Sequence, residues 1–244
     1  VMTPGSMIYG ENGQFSIANT VIHDHEKSGW MTFAQMIQKS SNIGAAKVGM
    51  ALGEWRVFDY LKDFGFGDKT GIDLPGEAVG LLRGPRQWGK RSLASISMGQ
   101  EVGVTPLQMV TAISAIANGG VLMKPFVVSE IRNAKGQLVA QTMPQAKRRV
   151  ISADTARTLT TLMEGVVTNG TGGKAAIPGF RVAGKTGTAQ KVDPRTGAYS
   201  STLLVGSFLG YVPAEDPRLA MIVVIDEPRG EGWGGVVLLV AVLS

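Results

Sequence analysis

The 244-residue sequence contains no cysteine, which excludes disulfides and thiolate chemistry and leaves the working compartment open. Histidine is almost as scarce: His23 and His25 flank Asp24, and there is no third. A metal centre would have to recruit distant carboxylates, so none is predicted, and no cofactor is implied. Long apolar runs are missing except at 236–243, which is too short to cross a bilayer. No repeat or low-complexity block divides the chain. The formal charge is +5, but lysine and arginine are scattered, and the densest cluster, Lys147-Arg148-Arg149, has no interleaved aromatics. Nucleic acid is therefore not an expected partner.

What is present is enough to build a core. With 44% hydrophobic and 18% charged residues, the chain fits one domain or most of one. The start has no signal-peptide pattern and begins with valine, so the chain is read as starting inside a longer protein.

Residues 1–30 carry the turn signals Pro4-Gly5 and Asn12-Gly13 and short β-like pieces such as Phe15-Ser16-Ile17, and are read as an irregular entry segment. From Thr32 the pattern turns helical. Thr32 and Gln35 have capping-box spacing, and Phe33, Met36 and Ile37 share a face. A second, alanine-rich helix is predicted over 43–52, closed by Gly53. Ser40-Ser41-Asn42 thus falls in a short interhelix connection, a place for polar groups aimed into a cleft, although Ser41 or Asn42 can equally be a simple helix cap. A third helix over 54–64 presents Val57, Phe58, Leu61 and Phe64, read as core. The glycine- and proline-rich stretch 65–84 reads as a long surface connection.

A short helix is predicted over 92–98. Thr105-Pro106-Leu107-Gln108 then has the order of N-cap, first-turn proline and N3 glutamine, opening a scaffold helix that ends at Asn118-Gly119-Gly120. Gln100 and Thr105 are secondary candidates for lining a cleft. Residues 121–131 and 137–141 are β-rich and meet across Ala134-Lys135-Gly136 as a hairpin. Ser152 starts the clearest amphipathic helix, with Ala156, Leu159, Leu162, Met163 and Val166 at three- and four-residue steps. Runs 181–190, 202–211 and 219–226 form an antiparallel meander. Helices and strands come in separate blocks, which predicts an α+β fold with an antiparallel sheet sandwiched by helices. The helical part spans about 30–170 and the meander about 180–227.

The first run of that meander holds Gly184-Lys185-Thr186-Gly187-Thr188. Glycine lets another backbone approach, an ammonium attracts a carboxylate, and hydroxyls both donate and accept hydrogen bonds. An edge strand lining a cleft uses all three. A glycine-weakened strand leading into a hairpin is the plainer reading of the same residues.

Taken together, Ser40-Ser41-Asn42 and Lys185-Thr186-Gly187 match two of the three active-site signatures of penicillin-binding proteins and class A β-lactamases. With Ile22-His23-Asp24, Ser97-Met98-Gly99-Gln100, Thr105-Pro106-Leu107-Gln108, Ala117-Asn118-Gly119-Gly120, Asp226-Glu227-Pro228 and Gly234-Gly235 in the family's order, the chain closely resembles the transpeptidase domain of a class B penicillin-binding protein.

The resemblance implies serine D,D-transpeptidase activity on peptidoglycan stem peptides ending in D-Ala-D-Ala, with β-lactams as substrate mimics. The setting would be cell-wall synthesis at division or elongation, with division or elongation membrane proteins as partners. The location would be the outer face of the cytoplasmic membrane, anchored by an upstream segment. Ser40 would relay protons and Asn42 would hydrogen-bond the substrate amide. Lys185 would hold positive charge near Ser40 and the terminal carboxylate, which Thr186 and Thr188 would bind. Gly187 would allow close approach, and the Thr188 N–H would serve as an oxyanion donor.

The third signature, Ser-x-x-Lys, occurs nowhere in the sequence. Ser6 is followed three residues on by Tyr9, which with a pKa of about 10 cannot act as the lysine does. The chain is accordingly expected to begin after the family's nucleophile helix, to lack two of its five sheet strands, and to be inactive alone. A D,D-carboxypeptidase or β-lactamase-like hydrolase, which hands the acyl group to water, and a non-catalytic interaction module on the same fold are the rival readings.

Overall fold

The computed structural model describes residues 2–228, so Gly234-Gly235 and the apolar run 236–243 lie outside it. The entry segment is more regular than expected: it holds four short strands, β1 (Met7–Tyr9), β2 (Gln14–Ile17), β3 (Thr20–His23) and β4 (Trp30–Thr32), of which β2 contains the β-like piece Phe15-Ser16-Ile17. β2 and β3 form a hairpin, while β1 pairs antiparallel with β4, Met7 opposite Thr32. Partners that far apart give no local periodicity from which to read either strand.

Helices α1 (Phe33–Lys39), α2 (Asn42–Leu52) and α3 (Glu54–Asp63) follow. The Thr32–Gln35 capping box forms as predicted: the Gln35 N–H donates to Thr32 Oγ1 at 3.1 Å, and the Thr32 N–H to Gln35 Oε1 at 2.8 Å. α3 is a correction. None of its residues is buried; Phe58 instead makes edge-on contacts with Trp55 and Trp88 at ring distances of 6.4 and 6.3 Å. Its apolar stripe is only partly buried and joins none of the core clusters.

Helix α4 (Ser92–Ser97) leads to α5 (Pro106–Ala117), whose N-cap Thr105 and N3 Gln108 close a second capping box. Gln108 is almost fully buried, and its Nε2 donates to the carbonyls of Asp68 and Val79 at 2.8 and 2.9 Å, pinning the long 65–84 connection.

The stretch 121–131 is not one strand. β5 (Val121–Lys124) pairs with β8 (Gln145–Arg149), and β6 (Glu130–Arg132) with β7 (Leu138–Gln141) in the expected hairpin. β8 is illegible in the sequence because all but Ala146 of its five residues are polar, and its cations serve local structure: Arg148 donates to the carbonyls of Lys62 and Asp63, Arg149 to those of Gly119 and Ile151.

Helix α6 (Ala153–Asn169), capped by Ser152, precedes the meander β9 (Ala183–Val192), β10 (Tyr199–Val212) and β11 (Leu219–Asp226). The strands are antiparallel in the order β11-β10-β9, so β9 is an edge, as its composition suggests. α5 and α6 pack on this sheet. Ile113 from α5, Met163 from α6, Ala183 from β9 and Tyr211 from β10 form the main core cluster, and the Tyr211 hydroxyl shares a 2.7 Å hydrogen bond with Thr160. Arg181 grips Glu164 with two hydrogen bonds of 2.7 and 2.9 Å, locking the approach to β9 onto α6. No helix among the described residues is long and apolar enough to cross a membrane.

Candidate active site

The cleft forms where the α1–α2 connection meets the edge of β9. α1 ends on Ser40 at φ 56°, ψ 47°, a left-handed conformation that non-glycine residues rarely adopt. That turn leaves Ser40 exposed and separates its side chain from that of its neighbour. Ser41 is buried and caps α2: its Oγ accepts from the Gly44 N–H at 2.9 Å and donates to Asp24 Oδ2 at 2.6 Å. Asp24 Oδ1 also accepts from the Ile43 N–H at 3.0 Å, so one carboxylate takes both the cap hydroxyl and a free N–H of the helix start. The capping reading is thus right for Ser41. Asn42 begins the helix, exposed, with Nδ2 donating to the His23 carbonyl at 3.1 Å.

Across the cleft, Lys185 lies opposite Leu209 of β10 in the sheet. Its Nζ donates to Ser40 Oγ at 2.6 Å, joining residues 145 positions apart, and to the Thr186 carbonyl at 3.1 Å. No carboxylate pairs with it among the described residues. Burial pushes the Lys185 ammonium down to a pKa of about 8, because desolvation penalises the charged form and no counter-charge offsets it. Thr186 Oγ1 shares a 2.6 Å hydrogen bond with Thr171, in the turn after α6. Gly187 faces Ser207, whose Oγ would lie 2.6 Å from a Cβ added there, so the absence of a side chain keeps this part of the edge flat. Thr188 is exposed on the same strand.

The structure therefore brings Ser40 and Lys185 into direct contact, with Thr186 and Gly187 beside them and Asn42 two residues from Ser40. Of the secondary candidates, Thr105 is a helix cap. Gln100 reaches β9 further along, its Nε2 donating to Gln190 Oε1 at 3.2 Å. Sequence reasoning missed Asp24 and Thr171 as the residues that hold the two signatures in place. Asp24 was visible inside Ile22-His23-Asp24, but its bonds cross to another element and leave no spacing signal.

Residues 6–238 match the family model for the penicillin binding protein transpeptidase domain. The chain is 43% identical over 211 residues to stage V sporulation protein D of Bacillus subtilis, covering 86% of this chain and 32% of that protein. It is 34% identical over 232 residues to peptidoglycan D,D-transpeptidase FtsI of Escherichia coli, covering 91% and 37%. Among solved structures it is similar to penicillin-binding protein 3 of Mycobacterium tuberculosis complexed with ampicillin, with a TM-score of 0.90 and 31% identity, covering 99% of this chain and 57% of that one. The chain thus spans about a third of the length of these curated relatives. With two signatures meeting in one cleft and the family model matched along nearly the whole sequence, the chain belongs to the penicillin-binding protein transpeptidase domain family, in its class B branch.

Proposed function

We propose that the protein carrying this chain is a peptidoglycan D,D-transpeptidase that cross-links stem peptides by serine acyl transfer and is acylated by β-lactams. The observation that carries the reading is the 2.6 Å bond from Lys185 Nζ to Ser40 Oγ, which sets an ammonium without a counter-ion beside a hydroxyl at the edge of an open strand. A cation so placed is short of an anion, and a peptide's terminal carboxylate supplies one.

The chemistry follows in two steps. A serine Oγ attacks the penultimate D-alanine carbonyl, the carbon–nitrogen bond to the last D-alanine breaks, and the serine proton passes to the departing amine. An amine of a second stem peptide then attacks the ester, forming the new amide, and a proton returns to the serine. Ser40 and Lys185, in contact and with burial lowering the lysine to about 8, relay protons at the amine. Asn42 holds the substrate amide, Thr186 and Thr188 hold the carboxylate, and Gly187 admits the peptide backbone. The Thr188 N–H donates to the oxyanion, a contact typically worth about 3 kcal/mol of barrier. Since the sequence has no Ser-x-x-Lys, the nucleophile is supplied from outside these 244 residues, and the chain alone is inactive.

The names of the relatives, a sporulation protein and a D,D-transpeptidase, favour cell-wall synthesis at division, elongation or sporulation. On this reading the protein sits at the outer face of the cytoplasmic membrane, held by an anchor outside this chain and working with membrane proteins of that machinery, and the cell-wall roles in the relatives' names support it. The test is product analysis with a D-Ala-D-Ala donor peptide and an amine acceptor. Cross-linked product with release of D-alanine is expected. Release of D-alanine with water as the sole acceptor would make the enzyme a carboxypeptidase, and no reaction would leave only an interaction module.

A further inference from the structure

A cavity of about 610 Å³ opens beside the far end of β9, walled by Asn19, Arg83, Gln87, Lys90, Arg91 and Glu101 among others. Its volume is that of a ligand pocket, but such pockets are mostly apolar and this one is lined by charge. Three cations face a single carboxylate, and that carboxylate is already engaged. Glu101 Oε2 accepts from Arg83 Nη2 at 2.8 Å and from Ser92 Oγ at 2.7 Å. Arg91 Nη1 donates to the neutral Thr20 hydroxyl at 2.5 Å, and exposed Lys90 has no partner among the described residues. The wall is left with uncompensated positive charge. Glu101 itself sits at φ 58°, a strained conformation of the kind that gathers at ligand sites.

The cavity is tied to the strand that carries Lys185. The Glu101 N–H donates to the Tyr199 hydroxyl at 3.3 Å, Tyr199 lies opposite Val192 in the sheet, and neighbouring Gln100 reaches Gln190. The free edge of β9 is open in one direction. Ala183 and Gly184 are buried, whereas Thr188, Ala189 and Gln190 are exposed. An extended peptide with its C-terminal carboxylate at Lys185 must therefore run toward Gln190, five residues on, or about 17 Å at about 3.3 Å per residue. A residue about five places before its C-terminus arrives opposite Gln190, which Gln100 joins to the Glu101 side of the cavity.

We propose that the cavity bounded by Arg83, Lys90 and Arg91 is a second anion subsite, which takes a carboxylate carried about five residues upstream of the terminal carboxylate on the same donor peptide. The inference rests on the reading of the Ser40–Lys185 cleft as the acyl-transfer site. It gives the enzyme a ruler: two anions at a fixed spacing are recognised, and a peptide with one is not held as well.

The test compares the intact parent enzyme with its Lys90→Glu variant on three reagents: a donor peptide with the upstream carboxylate free, the same peptide with it amidated, and benzylpenicillin, which is too short to reach the cavity. The wild type is expected to favour the acidic peptide by about tenfold in kcat/KM, through KM, as charge complementarity sets specificity. Lys90→Glu is expected to abolish or invert that preference while penicillin acylation stays within about twofold, which also reports that the variant is folded. An unchanged preference in the variant, or none in the wild type, overturns the subsite. So does competition by a glycerol phosphate polymer without any peptide preference, which would give the cavity to a phosphate. A wild type that reacts with neither penicillin nor donor peptide overturns instead the acyl-transfer reading on which the subsite rests.

Discussion

Strand β9 carries a lysine toward each end, and the two ends keep their cations in opposite states. Lys191 Nζ donates to Glu227 Oε1 at 2.6 Å and to Asp226 Oδ2 at 3.1 Å, and these hydrogen bonds hold its ammonium above the ordinary lysine value. Lys185, half-buried, has only a hydroxyl and a carbonyl for partners, and burial lowers it to about 8. The first is a structural cation that clips β9 to the end of β11; the second is a cation kept short of charge. The adjacent serines repeat the contrast, Ser41 sunk into a cap and Ser40 held out on a left-handed residue. A fold optimised only for stability would pair Lys185 and relax Ser40. A lysine left without a counter-charge and a serine held exposed on a left-handed residue are what the proposed acyl-transfer cleft requires of them.

The sharpest way to break this comparison is to remove Lys185. Lys185→Ala in the parent enzyme is expected to slow acylation by benzylpenicillin by on the order of 10²–10³-fold, the scale seen when an electrostatic contact to the reacting centre is deleted. A stopped-flow measurement checks this. The thermal midpoint should hold or rise, because an unpaired buried charge goes with the side chain.

Next in size are changes to what positions the two halves. In Gly184→Ala, the new methyl falls against the ring of buried Phe208 and the Leu209 carbonyl, and the expected cost is about 1–3 kcal/mol by urea unfolding. Asp24→Ala strips Ser41 and the Ile43 N–H of their acceptor and is expected to cost about 1–2 kcal/mol, on the scale of a lost helix cap. Acylation should fall as well, since Ser40 and Asn42 flank the cap.

The pH dependence tests the state of Lys185 directly. Its folded value of about 8 lies below the ordinary lysine value of 10.5, so between them the folded chain binds fewer protons than the unfolded one. The cost of burying this charge is fully present below about 8 and is relieved as pH rises toward 10.5, so its contribution to stability increases across that window. Recognition of a carboxylate ligand runs the other way: kcat/KM is expected to fall with rising pH above about 8 as the ammonium is lost. Lys185→Met should flatten both profiles. The smallest effect is expected at the other end of the strand, where Lys191→Ala leaves acylation within about twofold and hardly moves the midpoint, as exposed ion pairs contribute little.

Much of this architecture is written in local chemistry. Thr32 with Gln35, Thr105 with Pro106 and Gln108, and Ser152 before its amphipathic run each place a helix start, and all three caps form. The β-rich runs after residue 180 pair in the order in which they are written. The misses share one cause, that non-local partners decide them. β1 finds β4 across an intervening hairpin, mostly polar β8 is a strand because β5 lies beside it, and Phe58 of α3 meets Trp88 outside the core. At the site, the two signatures were legible as motifs, but their contact was not. Lys185 reaches Ser40 only because Arg181–Glu164 docks β9 on α6 and Asp24 fixes the start of α2. Neither support has a spacing that marks it.

The most direct test of the central claim is to map the benzylpenicillin adduct on the intact parent enzyme by mass spectrometry, with and without Lys185→Ala. The account requires one adduct on a single serine outside these 244 residues, slowed severely when Lys185 is removed. An adduct on Ser40, Ser41 or Ser6, or one that forms at an unchanged rate without Lys185, would contradict it.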